Sequence, residues 1–272
     1  VGYDLTSLLV GSEGTLAVVT EIILRLIPRP ISRSTLHVGC QSIEQAIAAA
    51  EAIVVAGVIP AALELIDADC IEAMELYQES RNPSGLGAAL LIEVDGMPAA
   101  VREEAARIAQ ACKSIGLNVE TANTTAEREL LWDQRRNLSL ALRALAPKKV
   151  NHDVVVPKGR IPQLFKEIQR LKTTYGLPIP SFGHVGDGNI HVNILLDPDN
   201  PVELKRAADA EAELFQSVVA LEGSITGEHG IGFSKSKFLG LELSEHTIDT
   251  MRRLKRAFDP KGILNPGKIF PA

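Results

Sequence analysis

Two passages of similar length, residues 34–66 and 89–121, each contain a strand-like apolar segment, an Ala-rich helical segment and a second short strand-like segment. A period of two residues marks strands and a period near 3.6 marks helices, so both passages predict a strand–helix–strand unit. With 46% hydrophobic residues the chain can build a sizeable core. The pattern predicts an α+β fold, in which helices cover one face of a largely antiparallel sheet of ferredoxin-like units.

The predicted elements follow from these periods and from breaks at glycine and proline. Strands are predicted at 34–40, 63–66, 89–96, 117–121, 149–156, 179–185 and 190–196. Helices are predicted at 42–56, 67–78, 98–115, 125–144, 160–174, 201–221 and 244–258. Residues 15–27 are apolar and rich in β-branched side chains, which predicts strands buried inside a larger sheet. The stiff Pro28-Arg29-Pro30 break after them predicts a domain boundary.

Charge and cysteine content argue against several classes of protein. The net charge is −6 and no basic run stands out, which argues against a nucleic-acid partner. Cys40, Cys70 and Cys112 lie far apart without a CxxC spacing, which argues against a disulfide framework or thiolate cluster and favours a reducing compartment. No apolar run reaches the ~20 residues of a transmembrane helix. The chain begins at Val1 without an initiator Met, which suggests a cut through a longer protein.

The segment 182–193 contains two histidines on either side of an Asp-Gly turn signal. If Asp187 and Gly188 form a two-residue type I′ turn, His184 and His191 lie opposite each other on one face. Their Cβ atoms would then be about 4.5–5.5 Å apart, a separation at which two imidazoles can chelate one divalent ion. A cross-strand pair that stacks, or that bonds to the backbone, is the structural alternative. The glycines of the segment favour a site, because they let a substrate approach the backbone.

A second glycine-rich loop, at 227–232, carries Glu228 and His229 side by side. Glu228 could supply the carboxylate of a site with two histidines and one carboxylate. His229 could act as a base, since the unshifted pKa of histidine lies near neutrality. The alternative is a solvated loop without a chemical role.

Four motifs in order along the chain carry a resemblance to a known family. They are VGSEGTLAVVTE at 10–21, GHVGDGNIHVN at 183–193, GEHGIG at 227–232 and LNPGKIF at 264–270. The chain resembles the C-terminal portion of FAD-linked oxidases, the family of glycolate oxidase D subunits, D-lactate dehydrogenases and D-2-hydroxyglutarate dehydrogenases. The resemblance implies a remnant of the FAD-binding domain, a substrate domain with a metal site, and a segment returning to the FAD domain, at residues 1–30, 31–252 and 253–272.

The resemblance also assigns roles to single residues. It implies that the divalent-metal ligands are His184, His191 and Glu228, and that the general base is His229. It implies that the substrate is bound by Arg135, Ser139 and Asn193. It implies that FAD is contacted by Glu13, Gly14, Thr15, Val18, Val19 and Asn265. Some relatives carry a substrate-binding Lys where this chain has Asn151, with Lys148 and Lys149 displaced in register, and this difference favours a small substrate.

The function that the resemblance implies is FAD-dependent oxidation of a D-2-hydroxy acid, of the glycolate or D-lactate type, to the 2-oxo acid. A divalent metal (Zn, Mn or Fe) would assist, and electrons would pass to a carrier or to an iron–sulfur subunit. A homodimer is left open, and the expected location is cytoplasmic, or peripheral to the inner membrane through a partner. The fragment is expected to be inactive alone. A metal-dependent hydrolase and a non-catalytic, metal-stabilised binding domain are the alternatives.

Overall fold

The chain, described here by a computed structural model for residues 1–80 and 83–270, forms two compact units. The sheet unit is Arg29–Gly223, and the terminal unit combines Val1–Pro28 with Ser224–Ala272. The three segments predicted at 1–30, 31–252 and 253–272, with the roles assigned to them, stay predictions.

Seven strands in the described residues of the sheet unit form one sheet in the order β4-β1-β3-β2-β6-β7-β5, and every ladder is antiparallel. The strands are β1 (Ser32–Cys40), β2 (Ala62–Asp67), β3 (Ala88–Gly96), β4 (Glu120–Thr121), β5 (Lys148–Val155), β6 (Ser181–His184) and β7 (Asn189–Leu196). The β2–β6 ladder joins the first four strands to the last three. It therefore makes one continuous sheet from two groups of strands.

Helices connect these strands in the arrangement of ferredoxin-like units. The terminal unit contributes α1 (Leu5–Leu9), α8 (Leu239–Glu242) and α9 (Glu245–Phe258); the sheet unit contributes α2 (Ile43–Val55), α3 (Ala68–Tyr77), α4 (Pro98–Ser114), α5 (Thr125–Ala141), α6 (Ile161–Tyr175) and α7 (Pro201–Ala220). The first four strands follow the βαββαβ order, with α2 and α4 as its two helices and α3 added between β2 and β3. The last three strands repeat most of that order with α6 and α7. The predicted α+β fold is confirmed.

The two faces of the sheet differ in character because side chains alternate along each strand. One face is apolar, with Leu65, Ile92 and Val192 at its centre, and α2, α4 and α7 pack against its strands while α6 lies against α7. On the opposite face α3 and α5 pack around Phe182, so helices cover parts of both faces and not one face as predicted, because this face carries an apolar ring as well. This second face, which we call the polar face, also carries Glu64 of β2, His184 of β6, and Asn189, His191 and Asn193 of β7. The sheet thus separates the main hydrophobic core from a face whose polar side chains could form a functional site.

Local sequence explains where the helices of the polar face begin. The Asp67 carboxylate accepts a hydrogen bond from the backbone N–H of Cys70 at the start of α3. Thr124 and Glu127 form a capping box at the start of α5, each side chain bonding the backbone of the other. Because α5 begins at a fixed residue, the side chains that it points at the sheet are fixed as well.

Residues 15–27 do not form the buried strands that were predicted. In the structure this segment of the terminal unit has no regular secondary structure, and the side chains of Ile23 and Leu26 are 91% and 87% exposed. The prediction was wrong because strand formation needs a neighbouring backbone to satisfy its N–H and C=O groups, and none pairs with these residues in the described part of the chain. None of the described helices has the length and apolar character needed to cross a bilayer.

Candidate functional site

The β6–β7 hairpin has a different turn from the predicted one. Strand pairing places His184 opposite Asn189 and Phe182 opposite His191, so four residues, not two, form the loop. The Gly188 N–H donates to the His184 carbonyl at 3.0 Å, which closes this wider turn. Gly188 has φ of +85°, and a Cβ there would lie 2.1 Å from a backbone oxygen of the neighbouring chain segment. The predicted type I′ turn was wrong because this tertiary contact selects the wider loop.

The two histidines nevertheless lie on one face. The observed register differs from the predicted one by two residues, and an even shift leaves every side chain on the same side of the sheet. The ring centroids of His184 and His191 are 5.6 Å apart and their planes meet at 80°. His191 also lies against Phe182, with ring centroids 5.1 Å apart. The imidazoles are therefore diagonal neighbours on the polar face.

A buried carboxylate that the sequence analysis did not identify lies beside His184. Glu64 on β2 is paired directly with His184 across the β2–β6 ladder, and it is 5% exposed. Its Oε1 lies 2.6 Å from His184 Nδ1. Its Oε2 accepts a hydrogen bond from Arg135 Nε at 2.9 Å and lies 2.7 Å from Arg135 Nη2 in an ion pair. The sequence did carry a signal, since Glu64 is the one charged residue between apolar neighbours in the β2 segment 62–66.

The charges of this group explain the shifts in its pKa values. Burial alone would raise the pKa of Glu64, but the hydrogen bond from His184 and the charge of Arg135 outweigh it and lower that pKa. The hydrogen bond to Glu64 raises the pKa of His184 against the opposing effect of burial. The Arg135 guanidinium also lies 4.5 Å above the Phe182 ring. Glu64 is thus held ionised between Arg135 and His184.

The other predicted substrate-binding residues make contacts within the sheet unit. Asn193 is fully buried, and its amide donates to the Pro180 carbonyl at 3.1 Å and accepts from Asn151 Nδ2 at 2.8 Å. The Ser139 hydroxyl accepts a hydrogen bond from Lys149 Nζ. Lys149 and Asn151 alternate on β5 and so share the polar face. Lys149 therefore lies beside a predicted substrate residue although its sequence position differs from that of the Lys in some relatives.

In the terminal unit, the 227–232 loop is held by Glu13. The Glu13 carboxylate accepts hydrogen bonds from the backbone N–H groups of Ile231 and Gly232, each at 2.7 Å. Glu13 has φ of +53°, a conformation that costs a non-glycine residue roughly 1–2 kcal/mol, so its position is maintained by these contacts. On the loop, His229 Nε2 lies 3.8 Å from Glu228 Oε1, and both side chains are about half exposed.

The residues predicted to contact FAD form a connected group in the same unit. Asn265 donates from Nδ2 to the Glu13 carbonyl at 2.6 Å. Gly14 has φ of +67°, and a Cβ there would clash with Asn265. Thr15 is buried and its hydroxyl donates to a backbone carbonyl, whereas the side chains of Val18 and Val19 are 71% and 62% exposed. Their role in binding FAD stays a prediction.

The donor set on the polar face suits a divalent cation. Two imidazoles on one face, one of them hydrogen-bonded through Nδ1 to a carboxylate, match the usual arrangement around protein-bound metals. Glu228 belongs to the other unit, and its part as third ligand stays a prediction.

The three cysteines are fully buried, and burial raises the pKa of each thiol. They do not offer exposed thiolates to a metal or cluster.

Relatives share the sequence along almost the whole chain. The glycolate oxidase subunit GlcD of Bacillus subtilis is 41% identical over 99% of this chain, and that of Escherichia coli K12 is 36% identical over 99%. The mitochondrial D-lactate dehydrogenase [cytochrome] of Arabidopsis thaliana is 33% identical over 99%. These alignments cover 57%, 54% and 48% of the relatives themselves. The chain thus spans about half the length of the relatives that it matches.

Solved structures and a family description agree with the fold. p-Cresol methylhydroxylase matches 90% of this chain and 54% of its own with a TM-score of 0.69 at 14% identity. The 4-ethylphenol oxidase of Gulosibacter chungangensis matches 91% and 56% with a TM-score of 0.67 at 19% identity. At such identities the likeness shows the fold alone. Residues 29–269 match the family described as FAD linked oxidases, C-terminal domain. The chain belongs to this family, as its motifs predicted.

Proposed function

We propose that the protein containing this chain oxidises a small D-2-hydroxy acid, of the glycolate or D-lactate type, to the 2-oxo acid with FAD and a divalent metal. The observation that carries the proposal is the pair His184 and His191 on the polar face, beside the buried Glu64–Arg135 ion pair. The relatives support it by name, since two are glycolate oxidase subunits and one is a D-lactate dehydrogenase. An inactive fragment is consistent with a chain that spans half of those relatives.

The metal would be held by His184, His191 and Glu228. Two imidazoles and one carboxylate leave coordination positions open, which a structural site closed by four protein ligands would not. A bound divalent ion would lower the pKa of a hydroxyl group coordinated to it. Zn, Mn and Fe all accept this set of ligands, and the choice among them is part of the experiment below.

Proton transfer and substrate orientation would be divided among several residues. One ring nitrogen of His229 would accept the proton of the substrate hydroxyl, a role that suits an imidazole that is about half exposed. Arg135 would bind the substrate carboxylate through the guanidinium edge that does not face Glu64. Ser139 and Asn193 would contact the substrate from α5 and β7. Lys149, hydrogen-bonded to Ser139, would add positive charge near that end of the substrate.

The cofactor contributes the redox chemistry: bound FAD would accept the hydride from C2 of the substrate. It would be contacted, largely through backbone atoms, by Glu13, Gly14, Thr15, Val18 and Val19, and Asn265 would add a further contact. Electrons would then leave to a carrier or to an iron–sulfur subunit. A location in the cytoplasm, peripheral to the inner membrane through such a partner, goes with that proposal.

Anaerobic reduction of FAD in the complete protein tests the proposed function. The protein is loaded with Zn²⁺, Mn²⁺ or Fe²⁺ and mixed separately with glycolate, D-lactate, L-lactate and D-2-hydroxyglutarate, while the flavin absorbance is followed. We expect glycolate or D-lactate to bleach the flavin faster than L-lactate and than the dicarboxylate. Absence of bleaching by every 2-hydroxy acid, with each metal, would contradict the proposal.

A further inference from the structure

Glu64 and Glu93 are two buried carboxylates on the polar face, and each contacts α5. Glu93 on β3 accepts hydrogen bonds at Oε2 from Trp132 Nε1 at 2.8 Å and from Thr35 at 3.0 Å. Glu64 contacts Arg135, one turn further along α5. The exposed fractions of the two residues are 8% and 5%. They are therefore matched in burial and neighbouring helix, and they differ in that Glu64 also contacts His184.

The two oxygens of Glu64 bind different partners. Arg135 is always a donor, and it occupies Oε2 with a hydrogen bond from Nε and an ion pair from Nη2. Oε1 lies 2.6 Å from His184 Nδ1, and an ionised carboxylate can only accept a hydrogen bond. Nδ1 must therefore carry the proton. In the neutral ring this leaves Nε2 as the atom with a lone pair.

We propose that Glu64 is a positioning residue that fixes the Nδ1–H tautomer of His184, so that Nε2 is the metal-binding atom, and that it orients Arg135 beside the same site. This inference rests on the proposed function, because His184 is a metal ligand only under that proposal. Strand pairing supports it: Glu64 and His184 are opposite each other in the β2–β6 ladder, so the backbone fixes their approach. Carboxylate partners of metal-binding histidines commonly have this effect on ring orientation and basicity.

Replacing Glu64 with Gln should change which ring nitrogen of His184 carries the proton. The amide has one acceptor oxygen and one donor NH₂ group, and only the oxygen can face Arg135 without a clash of donors. The NH₂ group then faces His184 Nδ1, which has to become an acceptor. His184 should change to the Nε2–H tautomer, in which Nε2 has no lone pair for a metal.

Two measurements on the complete protein test this inference. The ¹⁵N chemical shifts of His184 in the metal-free protein, recorded at a pH where the ring is neutral, report its tautomer; the signals are assigned by their loss in His184→Ala. We expect Nδ1–H in the unaltered protein and Nε2–H in Glu64→Gln. Titration with Zn²⁺ should show about 10–100-fold weaker binding for Glu64→Gln, whereas the matched control Glu93→Gln should bind Zn²⁺ like the unaltered protein.

The outcomes separate the inference from the function on which it rests. An Nε2–H tautomer in the unaltered protein overturns the inference, even if Glu64→Gln does not fold. Equal Zn²⁺ affinities of Glu64→Gln and Glu93→Gln overturn it as well. If the unaltered protein binds no metal, the proposed function fails, while the tautomer of His184 still decides whether Glu64 positions the ring.

Discussion

The β6–β7 hairpin and the 227–232 loop both contain proposed site residues, but different interactions fix the positions of those residues. His184 and His191 lie in strands hydrogen-bonded to neighbours, with β2 on one side and β5 on the other. The loop that bears Glu228 and His229 has no regular secondary structure. Within its unit, a single carboxylate, that of Glu13, binds two of its backbone N–H groups. The register of a sheet therefore places one pair of residues, whereas the loop of the other pair is held by local hydrogen bonds, those to Glu13 among them.

Because the two regions are proposed to have different roles, substitutions in them should have different effects. The largest expected effect is on catalytic turnover. His229→Gln should lower turnover by roughly 10²–10⁴-fold and leave metal content unchanged, because it removes a base. His184→Ala should lose metal and turnover together, because it removes a ligand. Stopped-flow flavin reduction and elemental analysis measure the two quantities. The control is His246→Gln, an exposed histidine on α9 of the same unit as His229. If His229→Gln removed metal as completely as His184→Ala, the two regions would not have separate roles.

A smaller effect should follow from weakening the hydrogen bonds between Glu13 and the 227–232 loop. Glu13→Gln leaves one oxygen for two backbone N–H groups, so the terminal unit should lose about 1–3 kcal/mol of stability. Hydrogen exchange should speed up at the amides of Ile231 and Gly232 but not at those of Ile190 and Val192 in β7. Glu21→Gln, at an exposed position of the same unit, serves as the control. Unchanged exchange at Ile231 and Gly232 would show that the loop is held by something other than Glu13.

The smallest effect is a pH dependence within the terminal unit. The hydrogen bond from Lys255, followed by those from the N–H groups of Leu264 and Ile263, lowers the pKa of Asp259 to about 2. Since this lies below the value of about 3.9 in an unfolded chain, ionised Asp259 stabilises the unit above pH ~4, and the contribution is lost as pH falls toward 2.

Replacing Asp259 with Asn should remove that dependence. Unfolding of Asp259→Asn, followed by near-UV circular dichroism, should change less between pH 4 and pH 2 than that of the unaltered protein. Asp249→Asn, at an exposed position on α9, should retain the full change. Parallel pH profiles for Asp259→Asn and the unaltered protein would mean that Asp259 is not the group responsible.

Most of the sheet unit could be predicted from the sequence because its elements are defined locally. The strand and helix periods located each main element to within a few residues, and the caps at Ser42 and Thr124 are visible as residue types. Residues 15–27 show the limit of that reasoning. Their apolar, β-branched pattern is typical of a strand, but the pattern does not supply the neighbouring backbone that a strand requires.

The site was predictable in its residue types but not in its contacts. Motifs identified His184 and His191. The prediction that they share one face was right although the predicted turn type was wrong, because the register error was an even number of residues. The contact of Gly188 with Val156, which selects the wider loop, joins residues 32 positions apart in sequence. Glu64 was missed although a lone carboxylate in an apolar strand marks a buried charge that needs partners. Its partners, Arg135 and His184, lie 71 and 120 residues away.

The proposed function requires that a metal at His184 and His191 takes part in oxidation of a 2-hydroxy acid. The most direct test measures anaerobic flavin reduction by D-lactate and by glycolate in the complete protein, first as purified, then after removal of metal by a chelator, and then after metal is added back. We predict that removal lowers the rate of flavin reduction at least ~100-fold, because a metal supplies several kcal/mol to such a step, and that added metal restores it. Flavin reduction at an unchanged rate in protein shown to be metal-free would contradict the account.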